Sequence, residues 1–166
     1  MPITYEPIAT TTLGSNATSI TISSIPSTYT DLKLIYVGKN VDTPWMELQF
    51  NNNTSSVYSD TETYANGSTT TSARQSGAVS MRIAYPLNSA TYPSMVELDI
   101  FLYTGTTYNK TVLSRGSNDL NGSGNVWLSA GLFSNTSAIN SVKLIAPGGN
   151  NFYAGATATL YGIKCA

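Results

Sequence analysis

The feature that most constrains this chain is a period of two in its hydrophobicity. In Met46-Glu47-Leu48-Gln49-Phe50 every second residue is apolar, which puts Met46, Leu48 and Phe50 on one face of an extended strand. Val79-Ser80-Met81-Arg82-Ile83, Val96-Glu97-Leu98-Asp99-Ile100 and Ile20-Thr21-Ile22 repeat the pattern. Leu32-Lys33-Leu34-Ile35-Tyr36-Val37 and Val142-Lys143-Leu144-Ile145 are more apolar and predict strands covered on both faces. No segment carries a sustained helical stripe. Asn66-Gly67, Asn121-Gly122 and Gly148-Gly149 supply turns that need positive φ, and Ile25-Pro26 closes a strand.

These signals predict strands at 8–13, 18–25, 31–41, 45–52, 78–85, 94–104, 109–115, 125–133, 139–146 and 156–163. The predicted fold is all-β: a single-domain antiparallel β-sandwich, with a jelly-roll-like arrangement as one form of it. Residues 1–7, with Pro2 and Pro7, read as an extended N-terminal arm, and 8–166 as the sandwich domain. Residues 52–78 are almost entirely Asn, Ser, Thr, Gly and Tyr, and read as a long polar excursion between strands. Such excursions are often binding elements.

Composition then removes whole classes of function. Only 10% of the 166 residues are charged, against about 25% in an average chain. The net charge of -1 comes with no cluster of Lys and Arg, so nothing draws this chain to nucleic acid. The absence of a polybasic segment and of any run of about 18 apolar residues gives no reason to expect a membrane partner. Cys165 is the lone cysteine and excludes an internal disulfide. The N-terminus lacks the pattern of a signal peptide, so synthesis and folding in a cytoplasm are expected.

The search for chemistry is equally restrictive. With no histidine, Ser-His-Asp and Cys-His machinery and most transition-metal sites are excluded. Glu97 and Asp99 share a strand face, and Asp60 and Glu62 have the same spacing inside the polar excursion. Each pair could serve as paired catalytic carboxylates or calcium ligands. Each reads more simply as a solvated strand face and a solvated loop. The expectation is a non-enzyme with no cofactor, no metal and no catalytic residues. The aromatics are the remaining lead, because the chain has 11 tyrosines. Trp45 and Trp127 read as core. Tyr58, Tyr64 and Tyr153 lie beside polar segments and are the candidate interaction residues, by their large area and polar tip.

One further signal lies in particular segments. Ile8-Ala9-Thr10-Thr11-Thr12-Leu13-Gly14-Ser15 leads into Ser19-Ile20-Thr21-Ile22-Ser23-Ser24-Ile25-Pro26, then Tyr29-Thr30-Asp31-Leu32-Lys33-Leu34. The chain finishes with Leu160-Tyr161-Gly162-Ile163-Lys164 before its last residues. In these segments it resembles a group of small β-rich virion structural proteins of tailed bacteriophages, of the capsid-decorating or tail-fibre type. The resemblance covers both ends and the first third, and brings no catalytic residues. It implies a virion protein that decorates or cements the head shell. The implied partners are the major capsid protein or other virion proteins, together with copies of itself, a trimer being favoured. The alternative is a tail-fibre or receptor-binding module recognising host surface glycans.

Overall fold

The computed structural model describes residues 5–41, 45–85 and 89–164. Cys165 and residues 1–4 of the expected arm lie outside the described residues. The strands are β1 (Tyr5–Thr12), β2 (Ser19–Ile22), β3 (Asp31–Val41), β4 (Met46–Phe50), β5 (Tyr58–Ala65), β6 (Thr70–Ala78) and β7 (Met81–Ala84). They continue with β8 (Ser89–Phe101), β9 (Lys110–Asp119), β10 (Gly124–Phe133), β11 (Val142–Ile145), β12 (Asn151–Phe152) and β13 (Thr157–Ile163). Every ladder is antiparallel.

Among the described residues the strands form two sheets. The large one has nine strands in the order β1-β13-β3-β8-β9-β10-β5-β6, with β12 also paired to β3. The small one has four, in the order β2-β11-β4-β7. The arrangement is the predicted sandwich. Tyr5, Glu6 and Pro7, read as part of an arm, form the first rungs of β1 opposite Ile163, Gly162 and Tyr161.

The alternation read from the sequence builds the core. Leu32, Leu34 and Tyr36 on β3, with Val96, Leu98 and Ile100 on β8, face Met46, Leu48 and Phe50 on β4 and Val142 and Leu144 on β11. All are essentially inaccessible to solvent. Burying each such side chain is worth roughly 1.5–3 kcal/mol. β3 is not covered on both faces along its length: Val37, on the outer face of the large sheet, is 45% exposed.

The main departure lies at 52–78. Instead of a loop, most of it is the β5–β6 hairpin, which extends the large sheet beyond β10. Its turn is fixed by Asn66, whose Oδ1 accepts from Ser68 N at 3.1 Å and Thr69 N at 2.9 Å, with Gly67 at φ 88°. The period of two is present in β5, but its inward set is Tyr58, Asp60, Glu62 and Tyr64. Two acids in the buried register hide the strand from a hydrophobicity pattern.

Those polar inward residues have a structural task. β7 is an edge of the small sheet, and one side of its backbone has no strand partner. Side chains of the large sheet complete it. Asp60 Oδ2 accepts from Arg82 N at 2.9 Å, Ser129 Oγ donates to Arg82 O at 3.0 Å, and Ser114 Oγ donates to Ile83 O. Gln75 Nε2 donates to Ser80 O at 3.1 Å. Backbone groups that would otherwise be buried without partners are thereby satisfied.

Candidate functional site

The polar inner face continues from β7 toward the end of the sandwich where the β5–β6 and β9–β10 turns lie side by side. Three groups of residues there, and one on the opposite face of the large sheet, carry the chemistry this chain has to offer.

The first is the Asp60–Glu62–Arg82 cluster. Asp60 and Glu62 were expected in a solvated loop; they are 2% and 5% exposed, because the hairpin turns their side of β5 inward. Arg82 is the cation between them. Its Nη2 lies 3.1 Å from Asp60 Oδ1 and its Nη1 3.0 Å from Glu62 Oε1. Glu62 Oε2 is buried with no hydrogen-bond partner. Burial pushes the Glu62 carboxyl up to about 7; the Arg82 charge opposes this, and the neighbouring Asp60 carboxylate adds to it. Asp60 is fully engaged, by Gln75 Nε2, Arg82 N and the Arg82 guanidinium.

The second group is aromatic. Tyr64 on β5, Tyr85 just after β7 and Trp127 on β10 have nearly parallel rings. Tyr64 and Tyr85 stand 5.2 Å apart at 7°, Tyr64 and Trp127 5.5 Å apart at 12°, and Tyr85 and Trp127 6.0 Å apart at 19°. Trp127 is 4% exposed and backs the two half-buried tyrosines. Its indole N–H is buried without an acceptor.

The third group is amide. Asn118 on β9 and Asn125 on β10 face each other across the ladder and are both buried. Both polar atoms of the Asn118 side chain lack a partner, as does Ser94 Oγ, one residue beyond the Met95–Ser117 pair. Two adjoining open hollows, of about 570 and 350 Å³, meet at Asn66, Ser123, Gly124 and Asn125. Asn118 lines the larger, and Tyr64 and Tyr85 line the smaller.

On the outer face of the large sheet, Glu97 and Asp99 do share a face, as their spacing predicts. They sit between two cations. Lys33 Nζ contacts Glu97 and lies 2.7 Å from Asp99 Oδ1, and Arg115 Nε lies 2.6 Å from Glu97 Oε2. Hydrogen bonds from Arg115, then from Lys33, hold the Glu97 carboxyl down at about 2.

The three tyrosines singled out by sequence part company. Tyr58 is 1% exposed: its ring stacks on Phe133 at 5.0 Å, and its hydroxyl receives Phe50 N and reaches Asn53 O, both at 3.0 Å. It is a core residue and presents no surface to a partner, because it occupies the first inward position of an unrecognised strand. Tyr64 belongs to the aromatic–amide end. Tyr153 is half-buried beside β12, on a different part of the molecule. Sequence reasoning missed Tyr85, Asn118 and Asn125; the Asn121-Gly122 turn, which brings the two asparagines together, was the one available signal. Of the tryptophans, Trp127 is core as expected. Trp45 is half-buried, with its indole donating to Glu47 Oε1 at 2.8 Å. No group of acids or thiols able to hold a metal occurs among the described residues.

No family model matches this chain, and no curated protein does. Among solved structures, one of the infectious bursal disease virus Gx strain is similar at 12% identity, covering 95% of this chain and 39% of that one, with a TM-score of 0.14. At that score the likeness carries no argument.

Proposed function

We propose that this chain is a structural protein of a bacteriophage particle that acts by packing its large sheet against other virion proteins, as a decoration or cement protein of the head shell. The observation that carries this reading is the outer face of the nine-stranded sheet. One register row across it runs Val37, Met95, Ser117, Val126, and the next contains Ile35 and Leu128. Val37, Met95, Val126 and Leu128 are 45%, 42%, 61% and 48% exposed. These exposed apolar side chains fall in two pairs, Val37 with Met95 and Val126 with Leu128, on either side of Ser117 and Arg115 of β9, and exposed apolar groups rimmed by polar residues are the kind of surface that marks protein contact. Beside it, Lys33 and Arg115 neutralise Glu97 and Asp99, so the face meets a partner without a large electrostatic field. The resemblance of the Ile25-Pro26 and Leu160-Tyr161-Gly162-Ile163 segments to phage virion proteins supports the particle as the setting.

The test is copy number in purified virions, by quantitative mass spectrometry against the major capsid protein. A near-stoichiometric ratio supports the head shell. A handful of copies sinks it and leaves the tail-fibre or receptor-binding alternative. Val126→Asp with Leu128→Asp is expected to abolish incorporation while leaving the thermal midpoint of the free protein nearly unchanged, because both side chains point to solvent.

A further inference from the structure

We propose that Asn121 is a site of self-modification: its carboxamide is lost by intramolecular deamidation to aspartate and isoaspartate, while Asn66, in the same local sequence, is protected by the fold. The inference goes beyond the packing reading and does not depend on it, since the chemistry needs only this chain and water.

The chain contains Asn-Gly twice, and both times it continues into serine. Asn66-Gly67-Ser68 lies in the β5–β6 turn and Asn121-Gly122-Ser123 in the β9–β10 turn. Asn-Gly favours this reaction because glycine has no Cβ to keep its backbone nitrogen away from the neighbouring carboxamide. Both asparagines and both glycines are exposed. Local sequence and solvent access therefore do not separate the two sites. Hydrogen bonding does.

Asn66 Oδ1 accepts from Ser68 N at 3.1 Å, Ser68 Oγ at 3.0 Å, Thr69 N at 2.9 Å and Thr69 Oγ1 at 3.1 Å. Its carboxamide is tied to the far side of its own turn. To present Cγ to Gly67 N it must leave these donors, and giving up one or two such bonds slows a reaction by about tenfold. Asn121 has no such tether. Its carboxamide makes no hydrogen bond among the described residues, and the Gly122 N–H donates to none of them. The turn is held through other groups: Asn121 N donates to Asp119 Oδ1 at 2.7 Å, and Leu120 N to Ser123 O at 2.7 Å. The frame is fixed while the two reacting groups are free.

In the reaction the Gly122 nitrogen, giving its proton to solvent, attacks Asn121 Cγ. The new C–N bond closes a cyclic imide, the Cγ–Nδ2 bond breaks, and the nitrogen leaves as ammonia after taking up a proton. Water then opens the imide. Cleavage at Cγ gives aspartate, and cleavage at the backbone carbonyl gives isoaspartate. No oxidant or reductant is involved. Either product sets a carboxylate two residues from Asp119, and isoaspartate also lengthens the backbone of the turn by a methylene.

The experiment incubates the full chain in mildly alkaline buffer, folded in one arm and in concentrated urea in the other, and maps both asparagines by mass spectrometry of digests. In the folded arm Asn121 is expected to lose its amide about tenfold or more faster than Asn66. In urea the two sites should react at similar rates, because their tripeptides are identical. Isoaspartate at position 121, read by enzymatic methylation of its carboxyl, should accompany aspartate, and Asn121→Gln should abolish the signal there while leaving Asn66 as before. The proposal is overturned if folded Asn121 reacts no faster than Asn66, or if aspartate forms without isoaspartate. It is also overturned if the ratio between the sites persists in urea, which would put its cause in the flanking residues. Because the assay uses isolated protein, its failure leaves the virion copy-number test untouched, and the reverse holds too.

Discussion

Asp60/Glu62 on β5 and Glu97/Asp99 on β8 are the same pattern in sequence: two acids, two residues apart, on one face of a strand. Their fates are opposite. The β8 pair lies on the outer face, where β3 and β9 each bring a cation alongside. Two anions meet two cations with solvent near, and Glu97 is held ionised down to a pH of about 2. The β5 pair lies on the inner face with Arg82 as its shared cation, and Glu62 keeps its proton up to a pH of about 7. A carboxylate's character follows from how many cations the neighbouring strands place within reach and how much water remains. Neither quantity is written in the local sequence.

The largest effect is expected at Asp60. Asp60→Ala removes one of the two carboxylates that serve Arg82 and the cap on β7, leaving the guanidinium with Glu62 alone and an unpaired backbone N–H. A loss of about 3–5 kcal/mol is expected, measured by urea denaturation. Glu62→Gln should act in the other direction. The folded Glu62 carboxyl lies above its ordinary value of 4.5. Its contribution therefore favours folding below that pH and is lost as the pH rises through about 7. At pH ~8 the glutamine variant should be more stable than the parent by ~1–2 kcal/mol, with the advantage vanishing below pH ~5. Equal stability of the two at every pH would mean that Glu62 ionises freely in the fold.

Glu97→Gln gives the mirror image. The folded Glu97 carboxyl lies below its ordinary value, so its stabilisation is present above 4.5 and disappears as the pH falls through about 2. The variant should lose about 1 kcal/mol at neutral pH and nothing at the acid extreme, and the difference should shrink in high salt. The smallest effect belongs to Arg115→Ala. Arg115 is half exposed and Lys33 still serves Glu97, so a change below about 0.5 kcal/mol is expected by thermal melting. A larger loss would show that the outer network acts as a unit rather than as separate pairs.

The same logic separates what could be read early from what could not. Met46, Leu48 and Phe50, or Val96, Leu98 and Ile100, announce their strands because their buried face is apolar. β5 buries Tyr58, Asp60, Glu62 and Tyr64, and β6 offers mainly Ser, Thr, Gln and Gly, so the hairpin passed for a loop although its Asn66-Gly67 turn was visible. The error moved Tyr58 from core to candidate surface and the acidic pair from interior to solvent. Tyr64 was legible as an aromatic beside a turn. Tyr85 and Trp127 became its neighbours only when β5 paired with β10 and β7 packed beside them.

By itself, then, the sequence determined that this chain is all-β and antiparallel, where most of its strands run, and which of their faces carry the apolar core. Those properties follow from alternation and turn chemistry, which act between residues close along the chain. Only the tertiary structure decided which acids are buried, which cations serve them, and that two hairpin turns meet beside an unsatisfied amide and stacked rings. Each of those depends on strand register between segments tens of residues apart, and a shift of one residue in any ladder would send every one of those side chains to the opposite face.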